Sequence, residues 1–414
     1  MTNAKAKSKG KSSKSYEAEL IRDHRNRLKW CPENACLILE KDSSWGGVLA
    51  YDEFNAQTVL LRPIPEAVAP HASFISRHMT EADVIEAVRW FNRNGFPDAT
   101  KNVTHDAILT VAGYNRFNPV QEYLEGLTWD GVQRVDSWLA KYLSAEDAPF
   151  VNAVGKAWLV SAVARALNPG IKADCMLVLE GRQGVGKSTA IRVLAGDDWF
   201  HDGLHDLSGK DASAGLRGKW IIELPELSAM RKSDVEAVKA FLSRTKERYR
   251  PAYGRTEVIE PRRCVFIGTT NRSDWLMDET GGRRFWPVTV GEVKLAELQS
   301  DRDQIWAEAV SLFHAGEPWW LDQAAEVEAA NVVFTRTVED PWEADVISFV
   351  ENRSEVSTRD ILFGLGITKD RLTKSDQMRV AGILARAGWI RNGRFTSGGS
   401  RGSTRYVSPP RNAP

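Results

Sequence analysis

The chain has 414 residues, 43% of them hydrophobic and 27% charged, enough to bury a large core in about two to four domains and to exclude a wholly disordered protein. Lys+Arg and Asp+Glu are both 55, so net charge names no partner and any nucleic-acid affinity must come from local patches. The four cysteines (Cys31, Cys36, Cys175, Cys264) form no C-x-x-C, no apolar run approaches about 18 residues, and no apolar segment follows the basic N-terminus; these facts exclude a disulfide scaffold, a zinc ribbon, a membrane span and a signal peptide, and point to a reducing, cytoplasmic compartment.

Residues 1–16 are low in complexity, with Lys5, Lys7, Lys9, Lys11 and Lys14 among Ala, Ser and Gly and no acid. Such a segment cannot bury a core, and residues 1–30 are expected to be a basic disordered arm, either a solvated tail or a strand that brushes nucleic acid. Residues 31–170 read as a mainly helical accessory domain. Short strands are expected at 35–39 and 47–51. Thr80 is placed to cap a helix over 81–92 whose stripe is Val84, Ile85, Val88 and Phe91, with Trp90 off it. Further helices are expected at 104–114, 136–143 and 153–167. No paired-acid strand of the kind a primase uses to hold metal ions is visible here.

Residues 171–335 alternate short apolar strands with helices, the pattern of an α/β core. Met176-Leu177-Val178-Leu179 runs into Gly181-Arg182-Gln183-Gly184-Val185-Gly186-Lys187-Ser188, and a helix pattern follows from Thr189. This is the phosphate loop G-x-x-x-x-G-K-S in its required strand–loop–helix setting. Glycines let backbone N–H groups curl around phosphates, Lys187 reaches the β/γ-phosphates of ATP, and the Ser188 hydroxyl binds Mg²⁺.

A second strand, Trp220-Ile221-Ile222-Glu223-Leu224, ends in a carboxylate, and Glu226 follows. Glu223 is assigned to the metal, directly or through water, and Glu226 to polarising the attacking water; the reverse assignment stays open. The strand Cys264-Val265-Phe266-Ile267 leads to Gly268-Thr269-Thr270-Asn271, where Asn271 is placed to sense the γ-phosphate or to cap a turn. Arg283 and Arg284, on a Gly-rich turn, suit transition-state charge or a salt-bridged surface.

Between these strands, Ser233-x-x-Glu236 reads as a capping box opening a helix with Val235, Val238, Phe241 and Leu242 on one face. A basic hairpin follows: Lys246, Arg248, Arg250 and Arg255 alternate with Glu247, Tyr249 and Tyr253. Cations that track a backbone and a tyrosine, Tyr249 or Tyr253, that stacks on bases suit single-stranded DNA; a charged surface hairpin is the plainer reading.

After 291–335, expected helical with Leu295, Leu298, Ile305, Trp306 and Ala309 on one face, residues 336–408 read as a winged-helix-like domain and 409–414 as a tail. Helices are expected over 341–350, after a Ser357 cap, and after a Ser375 cap with Met378, Val380, Ile383 and Leu384; two strands then flank a Gly/Ser-rich turn. Arg391, Arg394, Arg401, Arg405 and Arg411 come with no acid after residue 390, which suits a basic wing on duplex or origin DNA; a protein-contact module is the alternative.

Taken together, Glu122-Tyr123-Leu124, Trp129-Asp130-Gly131, Lys187-Ser188, Gly209-Lys210-Asp211, Glu223-Leu224-Pro225-Glu226-Leu227, Arg250-Pro251-Ala252-Tyr253-Gly254-Arg255, Pro261-Arg262, Gly268-Thr269-Thr270-Asn271, Gly282-Arg283-Arg284-Phe285-Trp286-Pro287-Val288 and Arg302-Asp303-Gln304 resemble the virulence-associated protein E family over about residues 34–321. Position 247 is Glu where that family more often has Asp. The resemblance implies an α/β P-loop NTPase core of AAA+-like type, a hexameric homo-oligomeric ring, ATP with Mg²⁺, and a replicative role in phages or mobile elements within a bacterial host. It also implies that Arg283 or Arg284 acts on the neighbouring subunit, and that primer synthesis belongs to a separate primase. The expected function is that of an ATP-dependent DNA helicase or translocase. The alternative is a DNA-binding replication or regulatory factor using ATP as an assembly switch. A third class, a phosphotransferase, fits poorly with the basic hairpin, Asn271 and the paired arginines.

Overall fold

In the computed structural model, the structure describes residues 16–67, 74–204, 212–227, 232–250, 257–273, 275, 284–334, 341–397 and 402–408. The chain divides into two compact units, residues 1–336 and 337–414.

The first unit opens with α1 (Pro32–Lys41), the hairpin β1 (Leu49–Asp52) and β2 (Gln57–Leu60), β3 (Arg77–His78), α2 (Glu81–Arg93), α3 (Lys101–Ala112) and β4 (Arg116–Phe117). The four strands make one sheet in the order β3-β2-β1-β4. Tyr16, Leu20, Ile38, Trp45, Trp90, Phe91, Phe96 and Ile108 form its core. Three expectations are corrected here. Residues 35–39 are helical, not a strand: Pro32 starts the helix and Asn34, Ala35, Ile38 and Leu39 bury at helical spacing. Trp90 is 2% exposed and packs edge-on against Trp45, whereas Ile85 is 50% exposed. The stripe of α2 is rotated because small Ala87 belongs to the buried face. Residues 16–30 are packed, not an arm: Tyr16 is buried and donates to Asp42, and the Asn34 side chain accepts from the backbone N–H of Ile21. Residues 1–15 lie outside the described residues.

Next come α4 (Pro119–Gly126), α5 (Trp138–Leu143), α6 (Pro149–Leu167), β5 (Met176–Glu180), α7 (Lys187–Ala195), β6 (Phe200–His201), α8 (Ala212–Gly215), β7 (Ile221–Leu224), α9 (Lys232–Leu242), β8 (Lys246–Tyr249), β9 (Val258–Pro261), β10 (Val265–Thr270), β11 (Phe285–Thr289), α10 (Leu295–His314) and α11 (Gln323–Phe334). Five strands form a parallel sheet in the order β11-β5-β10-β7-β6. Every residue of β5 and β10 is buried, as expected of strands covered on both faces. One apolar core joins α4–α7 and α10 to Leu177, Leu179, Ile221, Val265 and Ile267. The opposite face packs Met176, Val178, Ile222 and Phe266 against α9. Residues 119–167 thus share the core of the parallel sheet, and no break in packing falls at 170.

Three of the chain's 15 tryptophans hold this core by their ring N–H groups. Trp158 donates to Phe266 O, Trp220 to Ala162 O and Trp306 to Leu194 O, at 2.8, 2.9 and 2.9 Å. Helix α6 is, among the described residues, the one helix long and apolar enough to cross a membrane, so the sequence does contain such a run; 78% of its apolar window is buried inside the protein. Ser233 lies inside α9 rather than capping it, and its hydroxyl donates to Asp234.

The second unit holds α12 (Glu343–Val350), β12 (Glu355–Ser357), α13 (Thr358–Gly364), α14 (Lys374–Arg386), β13 (Ile390–Arg394) and β14 (Thr404–Val407). The strands form an antiparallel sheet ordered β12-β14-β13 around Val346, Ile361, Leu362, Val380, Ile383, Leu384 and Trp389. Ser357 accepts from the Asp360 N–H and caps α13. The cap of α14 is Thr373, paired reciprocally with Asp376, and Ser375 sits within the helix; Met378 is exposed.

Candidate nucleotide site

The Gly181–Ser188 loop joins the end of β5 to the start of α7, at the carboxyl edge of the sheet where ligands of open parallel sheets bind. Gly184 and Gly186 have φ of 85° and 97°, a left-handed backbone that favours glycine. At Gly181 a Cβ would stand 2.7 Å from Val290 O, so no larger residue fits. The Lys187 ammonium donates to Gly181 O and Arg182 O at 2.6 and 2.9 Å, and to Asn271 Oδ1 at 3.1 Å. Burial pushes its pKa down, against the pull of Glu223.

Glu223 closes the floor of this site. It is 1% exposed, and its Oε1 accepts from Ser188 Oγ at 2.7 Å and Thr269 Oγ1 at 2.6 Å. Its Oε2 is buried without a hydrogen-bond partner among the described residues. An orphaned carboxylate oxygen beside the Ser188 hydroxyl is a donor set that fits Mg²⁺, which takes one or two protein oxygens and completes its shell with phosphate and water. Glu226, two residues past the end of β7, is exposed at φ 54° and lines a cleft of about 340 Å³ with Gly184, Lys187, Ser188, Thr269 and Asn271. Gln183 and Thr189 also line it; Val185 anchors the loop through its carbonyl, which accepts from Val293 N at 3.2 Å. Sequence reasoning missed Thr269 as a site residue. A hydroxyl at the inner end of an otherwise apolar strand was the available signal.

Strand order brings these residues together. β10, which carries Thr269 and leads directly into Asn271, lies between β5 and β7, so the loop, the acid and the amide occupy adjacent strand ends. Arg284 does not join them. It precedes Phe285, which pairs with Met176 at the start of β5, the opposite edge of the sheet. Its Nε makes an ion pair with Asp174 Oδ2 at 3.9 Å, beyond hydrogen-bond distance, which is the salt-bridged setting that the sequence also allowed. Arg283 lies outside the described residues.

The basic hairpin forms as β8 paired with β9. Strand alternation turns Lys246 and Arg248 outward with Arg250 also exposed, and buries Glu247 and Tyr249. Tyr249 is therefore no stacking platform, a correction. Its hydroxyl donates to Glu260 at 2.7 Å, and burial with that carboxylate pushes its pKa up to about 12. Glu247 is held by buried Arg262 and by Ser213, and Arg248 pairs with Glu257 at 2.6 Å. Tyr253 and Arg255 lie outside the described residues.

In the second unit Arg391 and Arg394 are exposed on β13, but Arg405 is paired with Glu355 of β12. The absence of acids after residue 390 hid that partner, which comes from a strand far back in sequence. Arg401 and Arg411 lie outside the described residues.

Other shared motifs prove structural. Gln304 Oε1 accepts from Asp130 N at 2.8 Å, Tyr123 donates to Asp303, and Glu308 accepts from the N–H groups of Arg134 and Val135. Arg302 donates to Leu194 O and Ala195 O at 3.1 and 3.2 Å, a cation on the last carbonyls of the loop helix α7. Arg302→Ala is expected to lower stability by about 1–2 kcal/mol, read by denaturant unfolding, because it removes a charge-assisted helix cap. An unchanged midpoint would refute this role.

These features define a parallel-sheet α/β domain whose glycine loop, lysine, buried acid and amide converge on one cleft at the strand ends. The chain belongs to the virulence-associated protein E-like domain family, whose profile matches residues 124–337. Among solved structures, the apo NrS-1 C-terminal region is similar at 11% identity and TM-score 0.48, covering 89% of this chain and 99% of that one. An A-form apo structure of the same region gives 12%, 0.46, 92% and 100%. A mutant of Thermotoga maritima RuvB gives 14%, 0.24, 62% and 91%. No curated protein sequence matches the chain.

Proposed function

We propose that this protein is an ATP-driven DNA helicase or translocase, with an AAA+-like core and a C-terminal winged-helix-like DNA-binding domain, acting in phage or mobile-element replication. The convergence of Lys187, Ser188, Glu223, Thr269 and Asn271 in one cleft, with Glu223 Oε2 left unpartnered, carries the reading.

In this reading the loop N–H groups and Lys187 take the triphosphate, Lys187 exchanging the carbonyls of Gly181 and Arg182 for phosphate oxygens. Ser188 and Glu223 would hold Mg²⁺, which would supply charge neutralisation at the phosphates. Glu226, exposed at the cleft rim, orients and deprotonates the attacking water, and the Asn271 amide holds the γ-phosphate side. The position of Arg284 at the far edge of the sheet favours a ring in which it serves the neighbouring subunit's nucleotide. The outward face of Lys246, Arg248 and Arg250 follows a single strand, and Arg391 and Arg394 grip duplex phosphates.

The deciding test is ATP-driven strand displacement on a forked duplex. Displacement supports the motor; hydrolysis and DNA binding with no displacement would assign ATP to an assembly switch instead. Deleting residues 336–414 is expected to weaken duplex binding and flatten its salt dependence, while single-strand stimulation of the ATPase persists. Changing Lys246 and Arg248 to Ala should do the reverse. Filter binding across a salt series beside an ATPase assay separates the two surfaces, and stimulation lost in the truncation but kept in the hairpin variant would refute this division.

A further inference from the structure

One buried side chain ties the nucleotide loop to the arginine edge of the same sheet. Glu180 is the last residue of β5, directly before Gly181, and is 2% exposed. Its Oε1 accepts from the indole N–H of Trp275 at 2.8 Å, and its Oε2 accepts from Thr289 Oγ1 at 3.2 Å. Trp275 is 3% exposed and lies among Met176, Val178 and Phe285 on one face of the sheet. Its ring meets the Phe285 ring edge-on, with centroids 5.7 Å apart at 87°. The indole therefore runs along β5 from the loop end, where Glu180 holds its N–H, towards the start of β11, where Phe285 follows Arg284.

Trp275 also lies between Asn271 and Arg284 in sequence. Asn271 has its own hold on Lys187, and the Glu180–Gly181 backbone is pinned separately: Val290 N donates to Glu180 O and Gly181 N to Thr270 O. The loop thus keeps its shape without the indole. Arg284 is held more loosely. Among the described residues its Nε has no hydrogen-bond partner and its ion pair with Asp174 is 3.9 Å long; the start of β11 is set by the pairing of Phe285 with Met176, and on this face the Trp275 ring packs against Phe285.

We propose that Trp275, held by Glu180, is a positioning residue that aims Arg284 at the nucleotide of the neighbouring subunit, so that the loop of one site is linked to the cation serving the next. This rests on the reading of Arg284 as acting across a subunit boundary. It is tested by mixing full-length variants. Trp275→Phe keeps a ring against Phe285 and removes the N–H donor. Alone it should bind a fluorescent ATP analogue with unchanged affinity and lose turnover by about 100-fold, the scale of a 1 Å misplacement of a catalytic group. Mixed with Lys187→Ala, whose arginine is intact, it should regain hydrolysis. Mixed with Arg284→Ala it should not, since both variants lack a working arginine and neither lacks a loop. Glu180→Met removes the acceptor instead and should give the same one-sided pattern; it serves if the Phe variant does not fold. Wild-type turnover, or rescue by Arg284→Ala rather than by Lys187→Ala, overturns the proposal alone. Failure of the control mixture of Arg284→Ala with Lys187→Ala overturns the shared-site reading, and this proposal with it.

Discussion

Lys187→Ala should reduce ATP hydrolysis by about 1,000-fold or more, the scale seen when a preorganised electrostatic contact to transition-state charge is removed. The structure gives this lysine two tasks. It bonds the carbonyls of Gly181 and Arg182, which shapes the loop, and it contacts Asn271, which ties β5 to β10. Its truncation therefore leaves two loop carbonyls and one amide oxygen without their donor, and takes away the cation that, in the proposed reading, meets the β/γ-phosphates. Glu226→Gln should part binding from chemistry. The residue is exposed at the rim and outside the Ser188–Glu223–Thr269 cluster, so the floor of the cleft is untouched. Nucleotide affinity should persist and turnover should stop. Glu223→Gln should instead loosen Mg²⁺-dependent binding, because its unpartnered oxygen and the Ser188 contact are both altered. Wild-type turnover in Glu226→Gln would show that the base is another group. Titration of a fluorescent analogue beside a phosphate-release assay reads both quantities.

Arg284→Ala should cost hydrolysis about 1,000-fold or more while leaving nucleotide binding intact, and the loss should be repaired by a different inactive chain. Arg284 sits just before Phe285, and Phe285 pairs with Met176, four residues below Glu180 at the loop. At about 3.3 Å per residue that separates it from its own loop by about 13 Å of strand, more than an arginine side chain spans. A chain lacking Lys187 has a dead loop and a working arginine; a chain lacking Arg284 has the opposite. Mixed, they complete one site at each mixed boundary. Specific activity should also rise with protein concentration, since in the proposed shared-site arrangement assembly is needed to form a site. Concentration-independent turnover with no rescue in the mixture would sink the shared-site arrangement.

The sequence alone located most of the residues that line the cleft, because each of its pieces is a short local pattern. A buried apolar strand, a glycine loop, Lys187-Ser188 and a helix are adjacent in the chain, and Glu223 and Asn271 each end an apolar run. The same holds for the three helices and two terminal strands of the second unit, whose apolar periodicity is local. Local signals failed where a partner is remote. The five apolar residues at 35–39 suit either a strand or a helix, and packing in the first core chose the helix. Residues 16–30 look polar and loose, yet Tyr16 and Leu20 find a core formed by segments up to residue 112. Tyr249 looks like a base-stacking ring until its alternation with Lys246 and Arg248 and its bond to Glu260 turn it inward. Arg405 looks like a free cation until β12 brings Glu355 beside it. Above all, strand order decides which groups meet. Placing β10 between β5 and β7 joins Thr269 and Asn271 to the loop and the acid, while parallel pairing of β11 with β5 puts Arg284 at the other edge. Periodicity records which face of a strand is buried; it does not record which strand lies beside it, and that neighbour is selected by side-chain packing across the whole sheet.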